Sequence, residues 1–270
     1  MMKKKLTTPK IILFDWHATL VDTFDAMYHA IDDVIAKIQR LGLLTRLTRE
    51  GESKHEEDAK LVAYVREHHA LPAEIAVEKK LSRTEIFEIL FDCDEDAKEI
   101  AHLEFNNCYR DHFGEIHPFE DDTDKMLYDL LSMGIRLGVM TNRDRKFIER
   151  EINVIQINGW GHYFETLVCG DDVINRKPAP DLIFKALENM QAEPGMDCWY
   201  VGDSTTDTAS AKKAGVTNVF FNGAHWDQDW LDKLFPGTKK HPYKPDAVVE
   251  NNRELMQLVT DSLNSEQTLQ

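Results

Sequence analysis

Five short apolar runs, each followed by a polar or glycine-containing loop, constrain the fold of this chain more than any other feature. Runs of this length that are bounded by loop residues are typical of strands buried on both faces of a sheet. A parallel sheet is the usual setting for such strands, because the helices that connect them cover both faces. The runs are residues 11–14, 137–140, 166–169, 198–201 and 218–221.

Amphipathic segments of helical length lie between the later runs. Their apolar residues recur at the helical period, which predicts helices over residues 121–132, 145–155, 180–190 and 206–214. An alternation of strands and helices predicts an α/β fold in which helices pack on both sides of the sheet. The expected core is therefore a Rossmann-like parallel sheet.

The stretch from residue 24 to residue 117 has a different pattern. It contains no convincing strand, and it repeats helical patterning near residues 25–40, 56–69, 83–91 and 95–113. We therefore predict an α/β core domain formed by residues 1–23 and 118–270, with a helical cap domain, residues 24–117, inserted in it. The tail after Ser262 is rich in Ser, Asn and Gln, and we expect it to fray.

Composition narrows the classes of function. The formal net charge of -16 disfavours a nucleic-acid-binding surface, because a polyanion would be repelled. The four cysteines include no CxxC pair, so neither a disulfide framework nor a zinc site is indicated. No apolar stretch has the length of a membrane span or of a signal peptide. We expect a cytoplasmic protein without nucleic-acid or membrane partners, and the sequence does not specify its oligomeric state.

Two motifs with polar side chains come directly after predicted strands. The first is DWHAT at residues 15–19, and Asp15 stands where ligands of parallel sheets usually bind. Its alternative explanation is an aspartate that only caps a helix or a turn. The second is Thr141-Asn142-Arg143, whose hydroxyl and backbone amides can hold a phosphate oxygen. A plain N-cap for the following helix explains the threonine equally.

Two further motifs lie in the second half of the chain. Lys177 opens the segment KPAP at residues 177–180, where the prolines limit the directions in which the lysine can point. The alternative is a solvated surface charge, as for most lysines. The segment GDSTTD at residues 202–207 places Asp203 and Asp207 four residues apart, which suits a hard cation such as Mg²⁺. Helix capping could explain Ser204 or Asp207 but not both aspartates.

The motifs occur in the order aspartate, threonine, lysine and paired aspartates, and they follow strand-like runs. In this order of motifs the chain resembles the haloacid dehalogenase (HAD) superfamily. The resemblance covers residues 10–23 and about 118–223 of the sequence. It includes YF at residues 163–164 and GDDV at residues 170–173. In the helical insert it is architectural only.

The resemblance implies an Mg²⁺-dependent phosphohydrolase that acts on a small phosphorylated metabolite. Asp15 would be the nucleophile that forms an aspartyl-phosphate, and Thr141, Asn142 and Lys177 would bind the transferring phosphoryl group. A carboxylate can approach a phosphate dianion only where nearby cations offset the repulsion. A covalent intermediate on an aspartate divides the hydrolysis into two easier steps.

The resemblance also implies a metal site. Asp203 would ligate Mg²⁺ beside one oxygen of Asp15 and the backbone carbonyl of His17. Asp207 would either support the metal or orient Lys177.

His17 and Ala18 depart from the family pattern, which usually has a second aspartate and then a glycine at these positions. The missing aspartate normally protonates the leaving group, a contribution of about a hundredfold to ten-thousandfold. One interpretation is that His17 performs the proton transfers. A second follows the phosphonoacetaldehyde hydrolases, which cleave a C–P bond with a cap lysine, here Lys54 or Lys60. A third is a catalytically weakened phosphate-binding or regulatory protein.

Overall fold

The computed structural model describes residues 6–49, 51–78, 81–239 and 242–267. The chain divides into two compact units. We call Met1–Asp22 with His117–Gln270 the core unit, and Thr23–Ile116 the insert unit.

The core unit is built on a six-stranded parallel sheet, which confirms the predicted fold class. The strand order is β5-β4-β1-β6-β7-β8, and each neighbouring pair is parallel. All five predicted runs are strands. The strands are β1 (Ile11–Phe14), β4 (Arg136–Met140), β5 (Thr166–Val168), β6 (Cys198–Gly202), β7 (Thr217–Phe221) and β8 (Ala247–Val249).

The central strand β1 pairs with β4 on one side and with β6 on the other. Phe14, its last residue, lies opposite Val139 of β4 and Val201 of β6. The three strands therefore end at nearly the same level, and the loops that follow them meet at one edge of the sheet. Every residue of β1 and β6 is buried, as expected for strands with helices on both faces.

Four helices of the core unit follow the four predicted amphipathic segments, and two further helices lie in the described residues after them. In the third predicted segment, for example, Leu182, Ile183, Ala186 and Leu187 are buried in a cluster with residues of β1, β4 and β6. Burial of one such leucine contributes about 1.5–3 kcal/mol. The helices are α6 (Thr123–Ser132), α7 (Arg145–Val154), α8 (Asp181–Asn189), α9 (Thr205–Ala214), α10 (Gln228–Leu234) and α11 (Asn252–Gln267).

Two expectations for this unit are wrong. Val21–Asp22 (β2) pairs antiparallel with His117–Pro118 (β3), so a strand begins at residue 117, inside the stretch predicted to contain none. The tail after Ser262 does not fray at once, because α11 continues to Gln267. Leu255, Val259 and Ser262 are buried at the i, i+4, i+7 spacing of one helix face, and their packing holds the helix.

The described residues of the insert unit contain helices and no strand. The predicted helix over residues 95–113 is α-helical only to Cys108, and a 3-10 helix, Tyr109–Glu115, follows it. Its α-helices are α1 (Phe24–Ala36), α2 (Glu56–His68), α3 (Ala73–Glu78), α4 (Arg83–Phe91) and α5 (Glu95–Cys108), and a further 3-10 helix is Leu44–Arg46.

Two expected absences can be compared with the structure. All four cysteines are free thiols in the structure. Within the described ranges, no helix combines the length and the apolar character that crossing a bilayer requires.

Candidate active site

Three predicted site residues follow neighbouring strands at the carboxyl-terminal edge of the sheet. Asp15 comes after β1, Thr141 after β4 and Asp203 after β6. Ligands of open parallel sheets bind at this edge. The sheet topology therefore brings together side chains that are far apart in the sequence.

Lys177 joins this group from the loop between β5 and α8. Its Nζ lies 2.8 Å from Oδ1 of Asp15 and 2.7 Å from Oδ1 of Asp207, and it donates to the hydroxyl of Tyr200 at 3.0 Å. The side chain is only 4% exposed, so the interpretation of Lys177 as a solvated surface charge is wrong. An ammonium at this depth needs such partners, because an unpaired buried charge costs on the order of several kcal/mol.

The side chain of Asn142 holds the backbone of Lys177. Asn142 Oδ1 accepts from the Lys177 amide at 2.8 Å, and Asn142 Nδ2 donates to the Lys177 carbonyl at 3.1 Å. This pair of hydrogen bonds fixes the loop from which the ammonium projects. The side-chain amide of Asn142 is therefore engaged within the protein, and a phosphate contact from this residue would come from its backbone.

Thr141 is buried directly after the end of β4, and its Oγ1 accepts from the backbone amide of Arg143 at 3.1 Å. The alternative that this threonine is the N-cap of the next helix is wrong. That helix, α7, begins at Arg145, and Asp144 occupies its N-cap.

Both oxygens of Asp207 accept hydrogen bonds from the protein. Oδ1 accepts from the hydroxyl of Tyr200 at 2.6 Å besides its ion pair with Lys177. Oδ2 accepts from the amide and the hydroxyl of Ser204, at 3.0 and 2.6 Å, within the capping box of α9. A Cβ on Gly202 would lie 2.6 Å from the carboxyl carbon of Asp207, so the close approach of this side chain requires glycine there.

The carboxylates of Asp203 and Asp15 accept fewer hydrogen bonds from the described residues than the carboxylate of Asp207 does. Capping accounts for Ser204 and Asp207 but not for Asp203, whose Oδ1 accepts only a long hydrogen bond, 3.4 Å, from Thr19 Oγ1 among the described side chains. Asp15 receives both its contacts at Oδ1, from Lys177 and from the Trp16 amide at 2.8 Å. The described residues give its Oδ2 no hydrogen bond.

Burial and charge shift the pKa values of these groups in opposite directions. Burial raises the pKa of Asp15, against the opposing charge of Lys177. Burial and the charges of Asp15 and Asp207 hold the pKa of Asp203 well above its ordinary value. Burial alone would lower the pKa of Lys177 and raise that of Asp207, but their attraction outweighs it, so the pKa of Lys177 is raised and that of Asp207 lowered.

These residues fit a hard divalent cation. One oxygen from each of Asp15, Asp203 and Asp207 lies within 4.8 Å of the other two, and carboxylate oxygens are the ligands that Mg²⁺ prefers. Three carboxylates share one ammonium, so the cluster carries excess negative charge when all are ionised. The raised pKa of Asp203 has this repulsion among its causes, and a bound cation would relieve it.

The ring of His17 is engaged by a buried glutamate. His17 Nε2 lies 3.0 Å from Oε2 of Glu151, and the same oxygen accepts from Trp16 Nε1 at 2.8 Å. The side chain of Glu151 is fully buried, whereas that of His17 is 21% exposed. Nε2 of His17 thus faces α7, and a metal contact from this residue would use its backbone carbonyl.

Sequence reasoning missed Glu151 and Tyr200, although each carries a detectable signal. In α7 the buried residues are Phe147, Ile148, Glu151 and Ile152, so an acid stands on the apolar face of an amphipathic helix. Tyr200 is a residue with a polar tip in a strand predicted to be buried on both faces. A buried polar atom requires a partner, and both patterns indicate one.

Lys54 and Lys60 lack the features of a lysine that forms a Schiff base. Their side chains are 73% and 70% exposed, and they pair with Asp92 at 3.1 Å and with Glu56 at 2.8 Å. The hydrogen bond that Lys54 donates to Asp92 raises the pKa of the lysine. A nucleophilic lysine needs a lowered pKa, so the surroundings of Lys54 do not support C–P bond cleavage. The exposed ion pair of Lys60 with Glu56 gives that reaction no support either.

A family model and curated relatives match the chain. The model described as haloacid dehalogenase-like hydrolase matches residues 59–221, a range that includes Thr141, Lys177 and Asp203 and begins after Asp15. A protein of Caldanaerobacter subterraneus subsp. tengcongensis, named provisionally as a pyrophosphatase PpaX, is 30% identical over 159 residues. That alignment covers 59% of this chain, which spans 65% of the relative's length.

A second relative and a solved structure are similar over more of the chain. A phosphoglycolate phosphatase of Pseudomonas fluorescens is 27% identical over 213 residues, which cover 78% of this chain and 68% of that protein. The crystal structure of a HAD-superfamily hydrolase, subfamily IA, from Geobacter sulfurreducens PCA superimposes with a TM-score of 0.59 at 22% identity. It covers 93% of this chain and 96% of its own, and it shows a common fold.

Proposed function

Because the chain belongs to the haloacid dehalogenase-like hydrolases, we propose that it is an Mg²⁺-dependent phosphatase of small phosphorylated metabolites. The observation that carries the proposal is the position of Lys177, whose ammonium lies between Asp15 and Asp207 at 2.8 and 2.7 Å. A buried ammonium beside a carboxylate at the ligand-binding edge of a parallel sheet suits the capture of a phosphate group.

In the proposed reaction, Oδ2 of Asp15 attacks the phosphorus and forms an aspartyl-phosphate, while the bond from phosphorus to the leaving-group oxygen breaks. Oδ1 is already held by Lys177 and by the amide of Trp16, so the carboxylate is fixed with its second oxygen available. The ammonium of Lys177 offsets the repulsion between the carboxylate and the phosphate dianion. Asp15, Asp203 and the backbone carbonyl of His17 would hold Mg²⁺, and the ion would supply further positive charge near the phosphoryl group.

The remaining site residues bind the phosphoryl group, position Lys177 or transfer protons. The hydroxyl of Thr141 and the backbone amide of Asn142 bind phosphoryl oxygens, while the Asn142 side chain fixes Lys177. Asp207 orients Lys177 rather than ligating the metal, since both its oxygens accept hydrogen bonds from protein groups. His17 moves the protons, first to the leaving group and then from the water that hydrolyses the aspartyl-phosphate.

The names of the relatives narrow the substrates to be tested. One is named for phosphoglycolate and another, provisionally, for pyrophosphate, and both compounds are small phosphorylated anions. The four free cysteines suit a reducing compartment, and we propose the cytoplasm. The net charge of -16 argues against nucleic acid as a substrate.

The test is phosphate release from a panel of small phosphate esters, phosphoglycolate and pyrophosphate, with Mg²⁺ or with a chelator. We expect release only with Mg²⁺, and we expect Asp15→Asn to reduce kcat by at least about 10³-fold, because it removes the nucleophile. The control is Asp197→Asn, which changes an aspartate that precedes β6, at the opposite edge of the sheet, and pairs with Lys10. Tight ligand binding without release would instead indicate a phosphate-binding protein.

A further inference from the structure

Glu151 is a buried carboxylate that the proposed reaction does not use. It lies on the apolar face of α7, and its side chain is fully buried. Its Oε2 meets the rings of two consecutive residues, Trp16 and His17, which directly follow the proposed nucleophile. Carboxylates are rarely buried unless they are paired, so this contact calls for an explanation.

Trp16 fixes the place of the accepting oxygen. Its indole is fully buried and packs edge to face against Trp160, with ring centroids 6.0 Å apart, and against Phe164, at 6.5 Å. An indole nitrogen can only donate. The atom 2.8 Å from it must therefore be an acceptor, whatever side chain supplies it.

The same oxygen, Oε2 of Glu151, determines which nitrogen of the His17 ring carries a hydrogen. A carboxylate oxygen accepts, so Nε2 of His17 carries a hydrogen and donates to Glu151 across 3.0 Å. The described residues provide no hydrogen-bond partner for Nδ1. The ring is also close enough to Asp15 for its charge to lower the pKa of that carboxyl, a minor effect beside burial.

We propose that Glu151 is a positioning residue that holds the His17 imidazole in one orientation, through Nε2, and leaves Nδ1 to serve the reacting atoms. The proposal rests on the proposed phosphatase function. A histidine in place of the second aspartate then acts through a fixed ring, and Glu151 with Trp16 provides the support that this substitution needs.

The test compares Glu151→Ala and Glu151→Gln at one pH. We expect Glu151→Ala to lower kcat about tenfold or more with KM within about twofold, because a mobile ring spends less time in the productive orientation. Glu151→Gln should stay within about threefold of wild type. The indole of Trp16 demands an acceptor, so it selects the amide orientation that places oxygen, not nitrogen, opposite His17.

A double-mutant comparison separates positioning from a purely structural role. In a His17→Ala background, Glu151→Ala should cause no further loss of kcat, since there is no ring left to hold. Glu149→Ala, an exposed acid on the same helix, should leave kcat unchanged in both backgrounds. An equal loss from Glu151→Ala in both backgrounds would overturn the proposal, and so would a Glu151→Gln variant as slow as Glu151→Ala.

A spectroscopic measurement tests the contact independently of activity. In protein labelled with ¹⁵N, the Nε2–H proton of His17 should be protected from exchange and visible in wild type, Glu151→Gln and Asp15→Asn, and lost in Glu151→Ala. If no phosphate ester is hydrolysed but this resonance behaves as stated, the proposed function fails while the hold on His17 stands. If the Nε2–H resonance of His17 is unchanged in Glu151→Ala, Glu151 does not position the ring and the proposal is wrong.

Discussion

Ala18 has a φ of 55°, in the left-handed region that glycine adopts without strain. A side chain in this conformation costs roughly 1–2 kcal/mol. We therefore expect Ala18→Gly to raise the free energy of unfolding, by up to about 1 kcal/mol once the greater backbone entropy of unfolded glycine is included. Chemical denaturation measures this change.

The matched control for this prediction is Ala209→Gly in α9, where the backbone is helical. There the same substitution should destabilise by about 1 kcal/mol. If the free energy of unfolding rises for Ala18→Gly and falls for Ala209→Gly, the gain at Ala18 is due to its left-handed conformation. Two losses of equal size would show that Ala18 is not strained.

His17 decides whether the chain is an impaired phosphatase or one with a different proton carrier. An aspartate at this position would not offer a donor to the buried Glu151 carboxylate, which lies 3.0 Å from the present ring. We therefore expect His17→Asp to hydrolyse phosphate esters no faster than wild type in a steady-state assay. A gain of about tenfold or more, the scale of a restored general acid, would mean that His17 is a damaged position.

At the scale of elements, the strands and most helices of the core unit could be predicted because their signals are local. Apolar runs and the helical period are visible in short windows. The strand β8 has only three residues and Val248 is half exposed, so it lacks that signal. The pairing of Val21 with Pro118 depends on an approach of distant segments that no local pattern encodes.

Helix α11 shows how tertiary packing overrides a polar composition. Leu255 is buried on its inner face, and Gln257 is exposed on the outer face. We expect Leu255→Ala to lower the free energy of unfolding by about 2–5 kcal/mol, the range for buried leucines. Gln257→Ala should change it by less than about 0.5 kcal/mol. Equal effects in denaturant titrations would mean that this helix adds little to the core unit.

At the scale of the whole molecule, the order of the motifs predicted which residues meet, because parallel strands bring their carboxyl ends to one edge. Asp15, Lys177 and Asp207 do meet there. The supporting partners could not be predicted in the same way. Tyr200 and Glu151 act through contacts across seven and 134 or more residues of sequence, and these contacts depend on how side chains pack in three dimensions.

The negative charge of the site links metal binding to the stability of the core unit. The pKa of Asp203 is raised by folding, so between its unfolded value, about 3.9, and its higher folded value the native state binds the extra proton. The free energy of unfolding must then fall as the pH rises through that window. Without divalent ions, we expect Asp203→Asn to be more stable than wild type at pH 8, because the asparagine places no buried negative charge beside Asp15 and Asp207.

If the proposed Mg²⁺ site is correct, magnesium should reverse this difference, because it would bind the ionised native carboxylates and stabilise the folded state by mass action. Thermal unfolding with and without Mg²⁺, at pH 5 and pH 8, measures both the effect of the Asp203 charge on stability and the stabilisation by Mg²⁺. Wild type should gain stability from Mg²⁺ mainly at pH 8, Asp203→Asn should gain little at either pH, and Asp197→Asn should follow wild type. Two results would contradict this prediction: Mg²⁺ does not change the stability of wild type at pH 8, or Asp203→Asn has the same pH dependence of stability as wild type. Either would show that Asp203 does not carry the charge that the cation neutralises.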